Sequence, residues 1–214
     1  MLASQENKPR WERRKDARPQ ELLAAALNQF VERGYAGTRL EDVAKSAGVS
    51  KGTLYLYFAN KEELFKAVVR ENIVHPIGEA ELEAAQHDGP SGALLRAILF
   101  KWWHQICATP LAGITKLMLA EGNHFPELAQ FYNEEVVARG NRLIASVLVR
   151  GIERGEFHPV DPLVMTPVLV APVLMLMMWT HAYMPDCGMP PIDPDAFMAT
   201  FTEVSLRGLE VSPA

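Results

Sequence analysis

Apolar residues recur along this chain at helical spacing, and strand-like alternation is not found. From Pro19, a good first residue for a helix, Leu22, Leu23, Ala26, Leu27, Phe30 and Val31 keep the helical period until Gly34. Thr38 then stands as an N-cap with Glu41 three residues on, the spacing of a capping box. Leu40, Val43, Ala44 and Ala47 form one apolar stripe before Gly48. Gly48 suits the left-handed end of a helix, Val49 is an apolar plug, and Ser50 can cap the next helix, KGTLYLYF. Two short helices are thus expected to join through a tight turn. Asn60 caps a fourth helix with Leu64, Phe65, Val68, Val69 and Ile73 on one side, and Pro76 predicts a break or kink.

Beyond it the same period predicts helices over about 91–108, from Pro110 to about Glu121, and from Phe125-Pro126 to about Arg154, closed by Gly155. Asp161-Pro162 opens a helix without a charge, and Pro194 opens a last one in which Phe197, Phe201, Val204 and Gly208 share a face. The expected fold is all-α with about nine helices. Leu163 to Trp179 approaches the length of a membrane span. Pro167 and Pro172 interrupt it and no Lys or Arg flanks it, so a helix buried on all sides, in a core or a subunit interface, is the better reading.

An apolar fraction of 49% with 22% charged residues, in 214 residues, is ample for a packed core and excludes wholesale disorder. Two cysteines, Cys107 and Cys187, with no CxxC, exclude a disulfide scaffold and a zinc finger. The polar, basic first residues lack a signal-peptide core, which points to the cytoplasm and not to a membrane. The net charge of −5 is unevenly spread. Residues 1–58 carry ten Lys/Arg against seven Asp/Glu, a net of +3, and the remainder carries −8. A basic front end on an acidic chain points that end toward a polyanion, although residues 1–15 alone read as a flexible basic arm.

A short helix, a turn with glycine and a second short helix form the helix-turn-helix arrangement, which lays its second helix in the major groove of DNA. The second helix offers Ser50, Lys51, Gly52, Thr53, Tyr55 and Tyr57 on its exposed faces, with Val49, Leu54 and Phe58 left to pack inward. Hydroxyls and a lysine bond phosphate oxygens, free N–H groups at the helix start attract anions, and glycine permits close backbone approach. Two tyrosines at i and i+2 cannot both point inward.

The stretch TRLEDVAKSAGVSKGTLYLYFANKEELFKAVV, residues 38–69, closely resembles the DNA-binding signature of TetR/AcrR-type transcriptional regulators. The likeness covers about residues 19–75 without insertion and includes Ala47-Gly48-Val49-Ser50, Gly52-Thr53-Leu54-Tyr55, Tyr57-Phe58 and Lys61-Glu62. It implies a homodimer on a palindromic operator in double-stranded DNA. An N-terminal three-helix unit would span residues 16–76, with its motif at about 39–58. A C-terminal helical domain, residues 77–214, would bind a small-molecule effector and dimerise through the last two helices. Carried over residue by residue, the resemblance makes Thr38, with Arg39 beside it, a phosphate contact. Ser50, Lys51, Gly52, Thr53 and Tyr55 become recognition-helix contacts, and Tyr57 and Lys61 phosphate clamps.

LMLAEGNHFPELAQFYNEEVV and RGIERGEFHPVDP look like stretches of the AcrR-like branch, which often controls drug efflux. Candidate effector-site residues are Trp102, Trp103, Cys107, Met118, Phe125, Phe131, Met165, Met175, Met178, Trp179 and Tyr183. Each alone fits ordinary core packing. Together, nine methionines, a Trp pair and prolines inside a helix fit an adaptable apolar cavity. His104, His124 and His181 lack HxxxH or HExxH spacing, and Glu134 and Glu135 fit a solvated face, so no metal or cofactor is expected. An enzyme working in the helical pocket is the alternative; GxSxG, P-loop, GxGxxG and zinc-protease motifs are absent.

Overall fold

The computed structural model describes residues 10–183 and 192–211, with side chains for 19–181 and 192–211. Among them the fold is all-α. Counting a helix that continues through a π-type or 3-10 turn as one, there are nine helices and no strand. The chain divides into two compact units, one up to Val68 and one from Val69, earlier than the boundary expected at residue 76.

In the first unit, α1 (Arg10–Gly37) starts nine residues before Pro19, which lies inside the helix rather than at its first position. The expected arm therefore overlaps a helix at residues 10–15, while residues 1–9 lie outside the described part. Arg, Glu, Lys and Ala dominate the segment before Pro19, and these residues form helix readily. The backbone leaves the helix at Gly34 (φ 72°, ψ 174°), where the apolar period had ended. α2 (Leu40–Ser46) and α3 (Lys51–Tyr57) follow, then α4 over residues 61–86. Leu22, Ala26, Phe30, Leu54, Leu64 and Phe65 are fully buried. Phe30, Tyr35 and Phe65 meet ring to ring at 5.1 to 5.8 Å between centroids.

The capping box of Thr38 and Glu41 does not form. Arg39 holds the N-cap position of α2 with no side-chain cap bond, and Thr38 turns inward, 2% exposed. Its hydroxyl lies 2.7 Å from the Gly34 carbonyl oxygen and 3.0 Å from that of Gln29. The kink at Gly34 is the cause, since it leaves carbonyls at the end of α1 without helical partners, and buried acceptors must be satisfied.

α4 passes through a π-type turn, Arg70–Val74, into His75–Gln86. Pro76 therefore does not end the helix. The His75 amide bonds five residues back, to Arg70, so the hydrogen-bond ladder shifts just before the residue that lacks an N–H. The second unit continues with α5 (residues 91–107), α6 (112–124), α7 (126–153), α8 (162–183) and α9 (Pro194–Leu209). Its core joins Leu95 and Leu99 of α5, Val147 and Leu148 of α7, Leu169 and Val173 of α8, and Met198 and Leu209 of α9.

α8 is capped by Asp161, whose carboxylate accepts the Leu163 amide at 2.9 Å. It is not buried on all sides. Leu169, Val173, Leu176 and Met177 face the core, but Val164, Val168 and Met175 are exposed. The buried side meets α5, α7 and α9, and the exposed apolar residues are left uncovered among the described residues. By length and composition residues 162–181 could cross a membrane. After α7 the chain folds back: Phe157 packs on Gly151, where a Cβ would lie 2.1 Å from its ring. The Glu156 carboxylate accepts the Ser91 amide at the start of α5 (2.6 Å) and Arg154 Nε (2.7 Å).

Candidate nucleic-acid interface and cavity

The α2–α3 turn is built by its own sequence. Gly48 takes φ 68°, its amide donates to the Lys45 carbonyl (3.1 Å), and the Val49 amide donates to that of Ala44 (3.0 Å). Those two bonds close α2 as a Schellman motif, which needs the left-handed conformation that glycine adopts without strain. Ser50 then caps α3, accepting the Thr53 amide at 3.1 Å and lying 2.9 Å from Thr53 Oγ1.

On α3, Leu54 is fully buried and anchors the helix. Ser50, Lys51 and Gly52 are exposed, Thr53 and Tyr57 half-buried, and Tyr55 44% exposed. Arg39 is exposed at the start of α2. Val49 and Phe58, expected to point inward, are only half-buried. Leu56, absent from the sequence-derived set, is 84% exposed. Its position two residues from buried Leu54 was the available signal, because i and i+2 lie on opposite sides of a helix.

Two sequence-derived contacts have interior partners. Thr38 is spent on α1 carbonyls, as described above. The Lys61 ammonium donates to the carbonyls of Tyr35 (2.8 Å), Thr38 (3.1 Å) and Ala36 (3.4 Å), and lies 4.5 Å from the centre of the Tyr35 ring. The carbonyl-rich end of α1 attracts a cation, which draws Lys61 inward. Lys51 pairs with Glu41 of α2, and that bond raises the lysine pKa and lowers the carboxylate's. Its ammonium also lies 5.8 Å from the Tyr55 ring centre.

The second unit holds a cavity of about 360 Å³. Its walls come from α4 (Ile73, Ile77), α5 (Ile98, Trp102), α6 (Thr115, Met118), α7 (Tyr132, Ile144) and α8 (Val170, Leu174), among others. Of the eleven candidate effector-site residues, Trp102 and Met118 line it. Trp103 and Cys107 belong to the core, where burial pushes the Cys107 thiol up to about 12. Phe131 is buried beneath the Arg70 guanidinium, 5.0 Å from its ring centre, and Phe125 sits half-buried at the start of α7. Met165 and Met178 pack against the core, Met175 is exposed, and Trp179 meets Phe197 edge-on at 6.2 Å. The Tyr183 side chain lies outside the described residues. With one methionine among its described walls, the cavity is shaped chiefly by isoleucine, leucine and valine side chains. His181 Nε2 lies 2.7 Å from the Cys107 carbonyl oxygen, Glu134 bonds Gln130 (2.8 Å), and Glu135 pairs with Arg70 (3.1 Å).

Residues 22–68 match the family model of bacterial regulatory proteins of the tetR family, and residues 92–187 match the tetracyclin repressor-like C-terminal domain. The HTH-type transcriptional regulator RutR of Escherichia coli is 30% identical over 163 residues, 68% of this chain and 67% of the relative. The chain belongs to the TetR family. This TetR-family protein is also 31% identical, over 145 residues, to the fatty acid metabolism regulator protein of Bacillus subtilis, covering 66% of this chain and 73% of that one. Its fold matches the crystal structure of FadR from Bacillus subtilis in complex with stearoyl-CoA, with a TM-score of 0.74 at 25% identity, over 88% of this chain and 98% of the other. It is a ligand-responsive, DNA-binding transcriptional regulator with a helix-turn-helix N-terminal domain and a helical C-terminal domain.

Proposed function

We propose that this regulator is a cytoplasmic homodimeric repressor, released from a palindromic operator by a small apolar or amphipathic effector. The observation that carries the reading is α3: one buried anchor, Leu54, holds outward a surface of Ser50, Lys51, Gly52, Thr53, Tyr55 and Leu56. At Gly52 a Cβ would meet only Ser50 Oγ, at 3.7 Å, so packing within the unit does not require glycine there. Close approach of a DNA backbone does. In this reading Arg39, Lys51 and Tyr57 hold phosphates, and Tyr55 and Leu56 face base edges. The DNA-binding domain is residues 16–76, and the effector and dimerisation domain residues 77–214.

The uncovered flank of α8 and exposed Val204 and Gly208 of α9 support a second copy of this chain as their cover. α4 begins at Lys61 and supplies Ile73 and Ile77 to the cavity, so it is the element through which an effector would shift the recognition helices. The fatty acid regulator among the relatives and the stearoyl-CoA complex support an effector with an apolar chain. Control of an efflux or detoxification gene rests on the AcrR-like stretches of α6, α7 and the segment after it. Against the enzyme alternative, the cavity wall offers no carboxylate, histidine or cysteine among its described residues.

The test is fluorescence-anisotropy binding of the full chain to the intergenic DNA beside its own gene, with random DNA as competitor. Competitor-resistant binding at nanomolar concentrations is expected. Binding no tighter than to random DNA, there and in a genome-wide selection of bound fragments, would overturn the reading.

A further inference from the structure

The cavity wall carries a particular distribution of charge and hydrogen-bonding groups. Among its described residues the one cation is Lys101, and its ammonium donates to Glu83 at 2.6 Å. A carboxylate ligand would have to share that ammonium with Glu83, whose own negative charge offsets the attraction. A cationic ligand would find no carboxylate on the wall, and burying an unpaired charge against isoleucine is heavily penalised.

The hydrogen-bonding groups are neutral. Thr115 Oγ1 and Tyr132 Oη lie 2.9 Å apart, and their mutual bond consumes one of two hydroxyl protons. The other proton remains for a ligand. Tyr132 is buried, which pushes its phenol up to about 12, so it keeps its proton at neutral pH. The side-chain amides of Asn133 and Asn141 line the same cavity and make no hydrogen bond among the described residues. At the roughly 30 Å³ that a water-sized group occupies, the cavity of about 360 Å³ holds about a dozen non-hydrogen atoms.

We infer that the cavity takes an uncharged medium-chain amphiphile, such as an alcohol, ketone or ester, whose oxygen accepts a hydrogen bond from the Thr115–Tyr132 pair. This assignment rests on the effector reading above and narrows it to a ligand class. The ion pair of Lys101 with Glu83 acts as a filter: it removes the charge that would otherwise favour an acid of the same length.

Isothermal titration of the full-length protein at neutral pH with 1-decanol, decanoate and decylamine, each below its solubility limit, tests it. 1-Decanol is expected to bind about tenfold more tightly than either charged probe. The double variant Tyr132→Phe/Thr115→Val, in which neither hydroxyl can donate in the other's place, should weaken 1-decanol by about fivefold and leave the charged probes unchanged. Thermal melts establish that the variant folds. Decanoate or decylamine binding as tightly as 1-decanol, or 1-decanol binding that ignores the loss of both hydroxyls, overturns the uncharged class and leaves the cavity as an effector site. Failure of all three probes to bind overturns the effector reading of this cavity as well, while the DNA-binding assay judges the regulator reading independently.

Discussion

The Lys61 ammonium and the Tyr35 carbonyl are bonded at 2.8 Å, across the corner where α1 ends and α4 begins. The same ammonium also bonds the carbonyls of Thr38 and Ala36, so its hydrogens are committed inside the protein. A residue that the family signature marks as a phosphate clamp has a structural task in the free unit. Lys61→Met is expected to destabilise the fold by about 1.5–3 kcal/mol, the range for hydrogen bonds to a charged group, seen in urea melts. The salt dependence of DNA binding by the folded variant should stay unchanged. A slope reduced by about 0.9 per site would return Lys61 to the phosphate contacts.

Lys51 is held by Glu41 in the free protein, and both groups are solvent-exposed. A phosphate must compete with that carboxylate. Glu41→Gln should raise affinity for operator and random DNA alike, severalfold at low salt, and Lys51→Ala should lower both. Anisotropy titrations at two salt concentrations distinguish this from a purely structural pair, for which Glu41→Gln would leave binding unchanged.

Tyr55 and Leu56 project from α3 with little cover, so truncating either should leave the melting temperature nearly unchanged. Operator affinity is expected to fall by about tenfold for each, within the 1–3 kcal/mol attached to a good base contact, while random-DNA affinity holds. Leu56 is suited to a thymine methyl group. Replacing operator thymines with uracil should therefore reproduce the loss for the native protein and cost the Leu56→Ala variant nothing further.

Val204 is 66% exposed on α9, and a Cβ added at Gly208 would meet no heavy atom within 4 Å. Neither residue is held in a core among the described residues. Val204→Glu and Gly208→Glu should give folded monomers by analytical ultracentrifugation. Variants that still sediment as dimers would place the interface elsewhere.

The Glu156 carboxylate, bonded to the Ser91 amide and to Arg154, is held at about 2, well below its ordinary 4.5. As pH falls, the unfolded chain takes up this proton first. The stabilisation is complete above about pH 4.5 and is lost as pH falls toward 2. Glu156→Gln should lower the melting temperature at pH 7, and the gap between native and variant should narrow below about pH 4.5 and close only as pH approaches 2. A gap that persists would mean that the side chain stabilises through shape rather than charge.

Much of this molecule was legible one turn at a time. Helix starts at Ser50, Asp161 and Pro194 and helix ends at Gly34, Gly48 and Gly155 follow from local capping and backbone geometry, so the sequence determined the nine helices and the exposed face of α3. Leu54 alone orients that face, because the helical period places its neighbours outward. Tertiary structure decided what happens where helices meet. Thr38 and Lys61 turn inward because the kink at Gly34 leaves carbonyls that only spatial neighbours can satisfy. The cavity selects Tyr132 and Ile144 over Trp103 and Cys107 because its walls are the parts of five helices that fail to close on one another. An apolar residue at helical spacing looks the same in sequence whether it faces a neighbour or a gap. α8 marks the same limit: composition makes it apolar along its length, and only packing determines that Leu169, Val173 and Met177 are buried while Val164, Val168 and Met175 are exposed.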